Sequence, residues 1–212
     1  MDNFELSVQR FDEFAEEYAS RFADISEYVS QISVFCELIN AEKPRILELA
    51  CGPGNVTCFL KERFPESRII AVDLAPGMIE IARKTLTDVD FRVMDVRRIS
   101  EIGETFDAVM CSFCLPFLSK DDAAKLIADI SALLNKDGVV YLSTMEGDEN
   151  RAGFETTSFS GDEGIYFNYH NQKDLECSFA KNGFDIRQVK LQDYIESDGS
   201  ATTDMIFIAV KR

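Results

Sequence analysis

The residues of this chain best suited to chemistry are a glycine-rich turn and the carboxylates that follow it. Arg45 to Thr57 reads Arg-Ile-Leu-Glu-Leu-Ala-Cys-Gly-Pro-Gly-Asn-Val-Thr, an apolar run that breaks at Gly52-Pro53-Gly54 and passes into a helical pattern. Glycines at such a turn let a ligand approach the backbone, because no Cβ stands in the way. The helix that starts there aims free N–H groups at whatever binds. Glu48 narrows the chemistry. A carboxylate beside the turn repels a pyrophosphate but suits a ligand carrying an ammonium or a sulfonium. The dinucleotide fingerprint also wants a third glycine, and Thr57 holds its position.

Asp73 and Asp95 end two later apolar runs. Asp73 suits a ribose diol, since an ionised carboxylate accepts from both hydroxyls. Asp95 can accept from an adenine N6 amino group while the N–H of Val96 donates to N1, and Leu74, Met78 and Met94 offer apolar walls to the ring. Acids at strand ends also serve as caps or solvated termini, but three of them in step with a Gly-x-Gly turn point to a site. Cys111-Ser112-Phe113-Cys114 has C-x-x-C spacing, yet zinc would need two further ligands. No second cysteine pair matches and the chain has one histidine, so no metal is expected and buried thiols are the better reading. That histidine, His170, is a candidate general base, with a structural or cap-adjacent role as the alternative.

For these residues to meet, the chain must place them at one edge. From Arg45 it alternates strand and helix, the pattern of a parallel sheet covered on both faces. Strands are predicted at 45–50, 68–73, 91–95, 106–111 and 139–144, with helices between them and a Lys136-Asp137-Gly138 turn before the fifth. In a doubly wound sheet ligands bind outside the carboxyl ends of the strands. Glu48, Asp73, Asp95 and Cys111-Ser112 all fall at such ends. Residues 4–40 read as two amphipathic helices, one striped by Phe11, Phe14, Ala15, Tyr18 and Phe22, the other by Val29, Ile32, Phe35, Cys36 and Ile39. Residues 146–170 break the rhythm and read as a mobile or hairpin-like insertion rich in aromatics, Phe154, Phe159, Tyr166, Phe167 and Tyr169. A helix over 171–182, closed by Gly183, and strands at 184–194 and 203–211 finish the chain.

The 212 residues, 46% hydrophobic and 28% charged, describe one globular domain with a real core. Its expected parts are helices over 1–43, a ligand-binding core over 44–145, the insertion over 146–170 and a helix plus hairpin over 171–212. No apolar run approaches the ~20 residues of a membrane span and no signal peptide is visible, so a cytoplasmic protein without a membrane partner is expected. The net charge of −16, from 38 acidic and 22 basic residues, opposes nucleic acid as a partner.

Glu48-x-Ala50-x-Gly52-x-Gly54 resembles motif I of the class I S-adenosylmethionine-dependent methyltransferases. Ile70–Ala82, Phe91–Val96, Phe106–Ser119 and Leu134–Ser143 resemble the motifs that follow it, in order and spacing, over residues 45–145. The resemblance implies a seven-stranded sheet of order 3-2-1-4-5-7-6 with strand seven antiparallel, and an N-terminal helical lid. It implies S-adenosylmethionine as cofactor, with motif I, including Cys51, around the methionine part, Asp73 on the ribose and Asp95 with Val96 on the adenine. The Ala50 carbonyl and the backbone of Ser112–Phe113 would meet the methionyl end, with Tyr18 and Arg21 of the lid nearby. A small organic methyl acceptor is the expected partner. The rival readings are a nicotinamide-dependent oxidoreductase, which Glu48, Thr57 and Asp95 disfavour, and a non-catalytic binder of the same cofactor.

Overall fold

The computed structural model describes residues 3–155, 164–195, 199 and 201–212. Three helices open the chain: α1 (Asn3–Glu13), α2 (Ala15–Arg21) and α3 (Val29–Leu38). The first predicted helix is therefore two, because Phe14 leaves helical geometry at φ −104°, ψ 23°. Backbone hydrogen bonds from Phe14 to Arg10 and from Tyr18 to Phe14 carry across the break, so α1 and α2 form one bent arm.

The alternating region follows as β1 (Arg45–Leu49), α4 (Asn55–Arg63), β2 (Arg68–Asp73), α5 (Pro76–Thr85), β3 (Asp90–Val93), β4 (Phe106–Cys111), α6 (Lys120–Leu133) and β5 (Leu134–Met145). A 3-10 turn at Val96–Ile102 links β3 to β4, and another at Leu115–Phe117 precedes α6. The Asn55–Arg63 helix begins from Gly54 at φ +91°, a conformation that glycine reaches without strain. Ser119 caps α6 by accepting from the Asp122 N–H, and Asp121 and Asp122 favour the same end electrostatically.

Two strands differ from expectation. β3 ends at Val93, since Asp95 turns out of the sheet to cap the 3-10 turn and accepts from the Arg97 N–H. β5 starts early, at Leu134, which pairs with Phe106; the Lys136-Asp137-Gly138 turn sits inside the strand as a bulge, with Asp137 at φ +62°. Lys211 stitches the bulge down by donating to the carbonyls of Ser131 and Leu134.

Beyond β5, a 3-10 turn (Glu149–Arg151) leads to a small antiparallel hairpin, β6 (Gly153–Glu155) and β7 (Ile165–Phe167). The hairpin expected here is present; its Phe159 lies outside the described residues. α7 (Gln172–Lys181), capped by Asn171, precedes β8 (Phe184–Ile195) and β9 (Ala201–Lys211). The main sheet runs β3-β2-β1-β4-β5-β9-β8, parallel through β5, with β9 antiparallel to both neighbours. That is the order implied by the sequence resemblance.

Period-two alternation sorts the core. Leu47, Leu49, Ile70, Val72, Val109 and Leu142 face α6 and α7, while Ile46, Ile69, Ala71, Met110, Tyr141 and Ile206 face α3, α4 and α5. Burying each large aliphatic side chain stabilises by roughly 1.5–3 kcal/mol. Both faces are apolar along the strands, so polar residues concentrate at the ends.

Candidate functional site

The carboxyl ends of β1, β2 and β4 converge on one edge, and there the backbone turns sharply. Ala50, Gly52 and Gly54 have φ of +52°, +54° and +91°. A side chain at Gly54 would also press on α5, its Cβ standing 3.3 Å from the Cβ of Ala82. Asp73 closes the turn. Its Oδ2 accepts from the Gly52 N–H and its Oδ1 from the Ala75 N–H, each at 2.9 Å. On the β4 side, Phe113, also at positive φ, donates its N–H to Ser143, to the carbonyl at 3.1 Å and to Oγ at 3.0 Å.

These elements wall a cavity of about 100 Å³. Ala50, Gly52, Asp73, Ser112 and Phe113 line it at the strand ends, and Leu74, Met78 and Val96 line one flank. Tyr18 covers the turn from α2, its Cε1 3.9 Å from where a Gly52 Cβ would be. Among the described residues of the lining Asp73 is the single charged one, and none is a lysine or an arginine.

The remaining sequence candidates stand off the wall. Cys51 is buried beside the turn, Gly54 starts α4, and Met94 packs partly buried on the core. Asp95 faces Arg97, whose guanidinium pairs with it at 2.6 Å. The expected open acceptor for an adenine is therefore engaged by a neighbour, a contact that periodicity does not reveal. His170 is not brought to the cavity either. It is 5% exposed, its Nε2 lies 2.8 Å from the Leu115 carbonyl, and it lines a separate polar groove between α6 and α7. The structural alternative for His170 is what the geometry supports. Cys111 and Cys114 are buried in the core as expected of small apolar side chains.

Burial shapes the electrostatics. Glu48, 2% exposed, has its pKa pushed up to about 8, chiefly by desolvation and further by Asp73. The Thr57 hydroxyl pulls the other way, although neither it nor Glu48 Oε2 has a hydrogen-bond partner of good geometry. Burial also raises Asp73, against the N–H groups of Ala75, Gly52 and Leu74 that favour its ionised form. Tyr18 rises to about 12 through burial and the nearby Asp73. Asp95 is raised by desolvation but lowered more by Arg97, and ends below the usual carboxylate range.

Sequence reasoning named Phe11 and Tyr18 of the arm but missed the rest of the wall that α1 supplies, Phe4, Ser7 and Val8, and Phe117 beyond β4. Positions 4, 8, 11, 15 and 18 form one helical stripe, so extending the Phe11–Phe22 pattern backwards would have found the first of these.

The residues present fit S-adenosylmethionine. Asp73 is placed for a diol, the glycine turn leaves room for close approach, and among the described residues that line the cavity no lysine or arginine opposes a sulfonium. A family model described as a methyltransferase domain matches residues 46–138. Malonyl-[acyl-carrier protein] O-methyltransferase of Bacillus cereus is 32% identical over 149 residues, covering 68% of this chain and 54% of that protein. Trans-aconitate 2-methyltransferase of Escherichia coli is 35% identical over 95 residues, covering 45% of this chain and 36% of that protein. The chain spans between 35% and 54% of the curated relatives first matched. Among solved structures, magnesium protoporphyrin IX methyltransferase from Synechocystis PCC 6803, crystallised with S-adenosylmethionine, superposes with a TM-score of 0.73 at 17% identity, covering 100% of this chain and 98% of that one. The match of a methyltransferase family model to the very elements that hold the turn and Asp73, together with a sheet of the order that the resemblance implied, puts this chain in the class I S-adenosylmethionine-dependent methyltransferase family.

Proposed function

We propose that this protein transfers a methyl group from S-adenosylmethionine to a small organic acceptor. The observation that carries the reading is the largely apolar cavity at the β1–β2–β4 edge, with one half-buried carboxylate among its described lining residues, Asp73, that already binds the glycine turn. A nicotinamide dinucleotide would bring a pyrophosphate to that turn, and no lysine or arginine lines the cavity to meet it. Asp73 would take the ribose hydroxyls, the Ala50 and Phe113 backbones the methionyl end, and Leu74, Met78 and Val96 the purine.

The cofactor supplies an electrophilic methyl on a sulfonium, displaced in line by the acceptor. The chain's part is positioning and electrostatics: it orients the acceptor, excludes water and favours positive charge near Asp73. The acceptor's place is the aromatic cluster between the α1–α2 arm and the hairpin. There Phe117 meets Phe11 at 5.0 Å and Phe167 at 5.5 Å between ring centroids, over Met145 and Tyr169. Aromatic walls suit an apolar or cationic acceptor. The relatives are named for chemically different acceptors, which supports a small molecule and transfers none of the three.

Calorimetry with S-adenosylhomocysteine and NADH in parallel, then a screen of small methyl acceptors, tests the reading. Binding of S-adenosylhomocysteine and turnover of one acceptor are expected. Binding of NADH alone would transfer the chain to the oxidoreductases, and cofactor binding with no acceptor turned over would leave the non-catalytic binder.

A further inference from the structure

Asp204 is a buried carboxylate for which the cofactor has no use. It is 4% exposed, near the start of β9, and pairs with Met145 at the end of β5. Antiparallel partners point the same way, with Cβ atoms about 5 Å apart. Asp204 therefore stands beside Met145, which belongs to the aromatic cluster. Taking a carboxylate out of water is costly unless something at the site answers its charge. Tyr28, at the N-cap of α3, donates its hydroxyl to Asp204 Oδ2 at 2.7 Å, which satisfies an oxygen and leaves the charge. A carboxylate accepts from several donors at once, so that bond does not close it to a ligand.

The surroundings favour a cation. The Tyr28 ring meets the Phe113 ring edge to face at 5.3 Å, and Phe113 lines the cofactor cavity. Asp204 thus lies between the cavity wall and the cluster proposed for the acceptor, among rings whose faces attract positive charge. Burial first, and the Asp204 charge after it, push the Tyr28 hydroxyl up, so it stays a proton donor to the carboxylate. Further down the same face of β5, the Tyr141 hydroxyl is fully buried and has no hydrogen-bond partner of good geometry among the described residues. At long range the net charge of −16 draws cations and repels anions.

We propose that Asp204 anchors the methyl acceptor, and that the acceptor is an amine whose ammonium group docks on this carboxylate beside Tyr28. The proposal rests on the methyltransferase reading above and narrows its small organic acceptor to one class of charge. An acidic acceptor would turn instead to the arginines at the cluster: Arg10, which lies over Phe14 and bridges Glu13 at 3.0 Å, and Arg151, 4.3 Å over the Tyr169 ring.

Probes of nearly one shape separate the classes: 2-phenylethylamine, 2-phenylethanol and phenylacetate carry a cation, a neutral hydroxyl and an anion. Each is titrated by NMR into the protein saturated with S-adenosylhomocysteine and into the ligand-free protein. The amine is expected to bind about tenfold more tightly than the alcohol, the scale of one charge-assisted hydrogen bond, and the acid most weakly. Asp204→Asn, which still accepts from Tyr28, should bring the amine to the alcohol's affinity. Tyr28→Phe keeps the carboxylate and should keep the preference, whereas a merely structural tie between β9 and α3 would suffer alike in both variants. S-adenosylhomocysteine affinity should stay within about twofold in each. The anchor is overturned if the acid binds tightest, if amine and alcohol bind alike or not at all, or if the preference survives in Asp204→Asn. The wild-type series decides even where that variant does not fold. Failure of the cofactor reading is distinguishable: an Asp204-dependent amine preference in protein that binds no S-adenosylhomocysteine keeps the ammonium site and removes the methyltransferase.

Discussion

At the scale of single residues, two buried carboxyls hold most of the site's chemistry. Asp73 serves the fold and the ligand at once, since the oxygens proposed for a ribose already accept from Gly52 and Ala75. Asp73→Ala should weaken S-adenosylhomocysteine binding by at least ~1.5 kcal/mol, the scale of a charge-assisted hydrogen bond. Asp73→Asn keeps one acceptor for the turn and should lose less stability for a similar loss of affinity. Calorimetry beside a melting curve checks both, and a folded Asp73→Ala protein with wild-type affinity would remove Asp73 from the site. Glu48 yields a prediction in pH. Its folded pKa of about 8 lies above its ordinary value of 4.5. Between those values the folded protein keeps a proton that the unfolded chain releases, so stability falls as pH rises through the window and levels off above 8. At 1.36 kcal/mol per unit over that window the fall attributable to Glu48 is on the order of 5 kcal/mol. Asp73, raised for the same reason, adds to it. Glu48→Gln should flatten much of the slope between pH 5.5 and 8 in chemical denaturation; an unchanged slope would show that Glu48 is ionised throughout.

At the scale of elements, the site is divided between rigid strand ends and two attachments, the α1–α2 arm and the β6–β7 hairpin. The attachments meet through a row of rings in which Phe11 touches Tyr18 and Phe117, and Phe117 touches Phe167. If this row walls the acceptor, S-adenosylhomocysteine should slow hydrogen exchange over residues 10–25 and 164–170 as well as at the strand ends. Protection confined to 46–56, 73–78 and 94–96 would reduce the arm and hairpin to covers for the sheet. Phe167→Leu removes the ring while keeping an apolar side chain, and Phe167 lies outside the cavity lining. It is expected to raise the KM for the acceptor several-fold while changing cofactor affinity less than twofold.

At the scale of the whole molecule, charge decides which partners approach. A net charge of −16 repels polyanions at long range, and no described helix is long and apolar enough to cross a membrane. Fluorescence anisotropy with duplex DNA and single-stranded RNA at low salt should show no binding tighter than about 10⁻⁴ M, the weak end of ordinary non-specific affinity. Labelled methyl groups should pass into small metabolites; transfer into bulk nucleic acid in preference to them would overturn the small-acceptor reading.

The sequence by itself determined the sheet, its strand order through resemblance, and the residues at its strand ends. Those features are local: a buried parallel strand must be a short apolar run, and a turn that passes a ligand must be glycine-rich, so composition and spacing record them. Asp73 and Gly52 were legible for that reason, and they are joined at 2.9 Å. Tertiary structure alone decided what depends on distant partners. Periodicity shows that α1 has an apolar face, but not that Phe4 and Val8 meet the cavity, nor that Asp12 caps α5. An acid at a strand end reads the same whether it faces a ligand or, like Asp95, the guanidinium of Arg97 two positions on. His170 carries a base's chemistry in any context, and the Leu115 carbonyl 55 positions away is what occupies it. Apart from the local Asp95–Arg97 pair, each of these is a contact across the fold, set by how helices seat on a finished sheet.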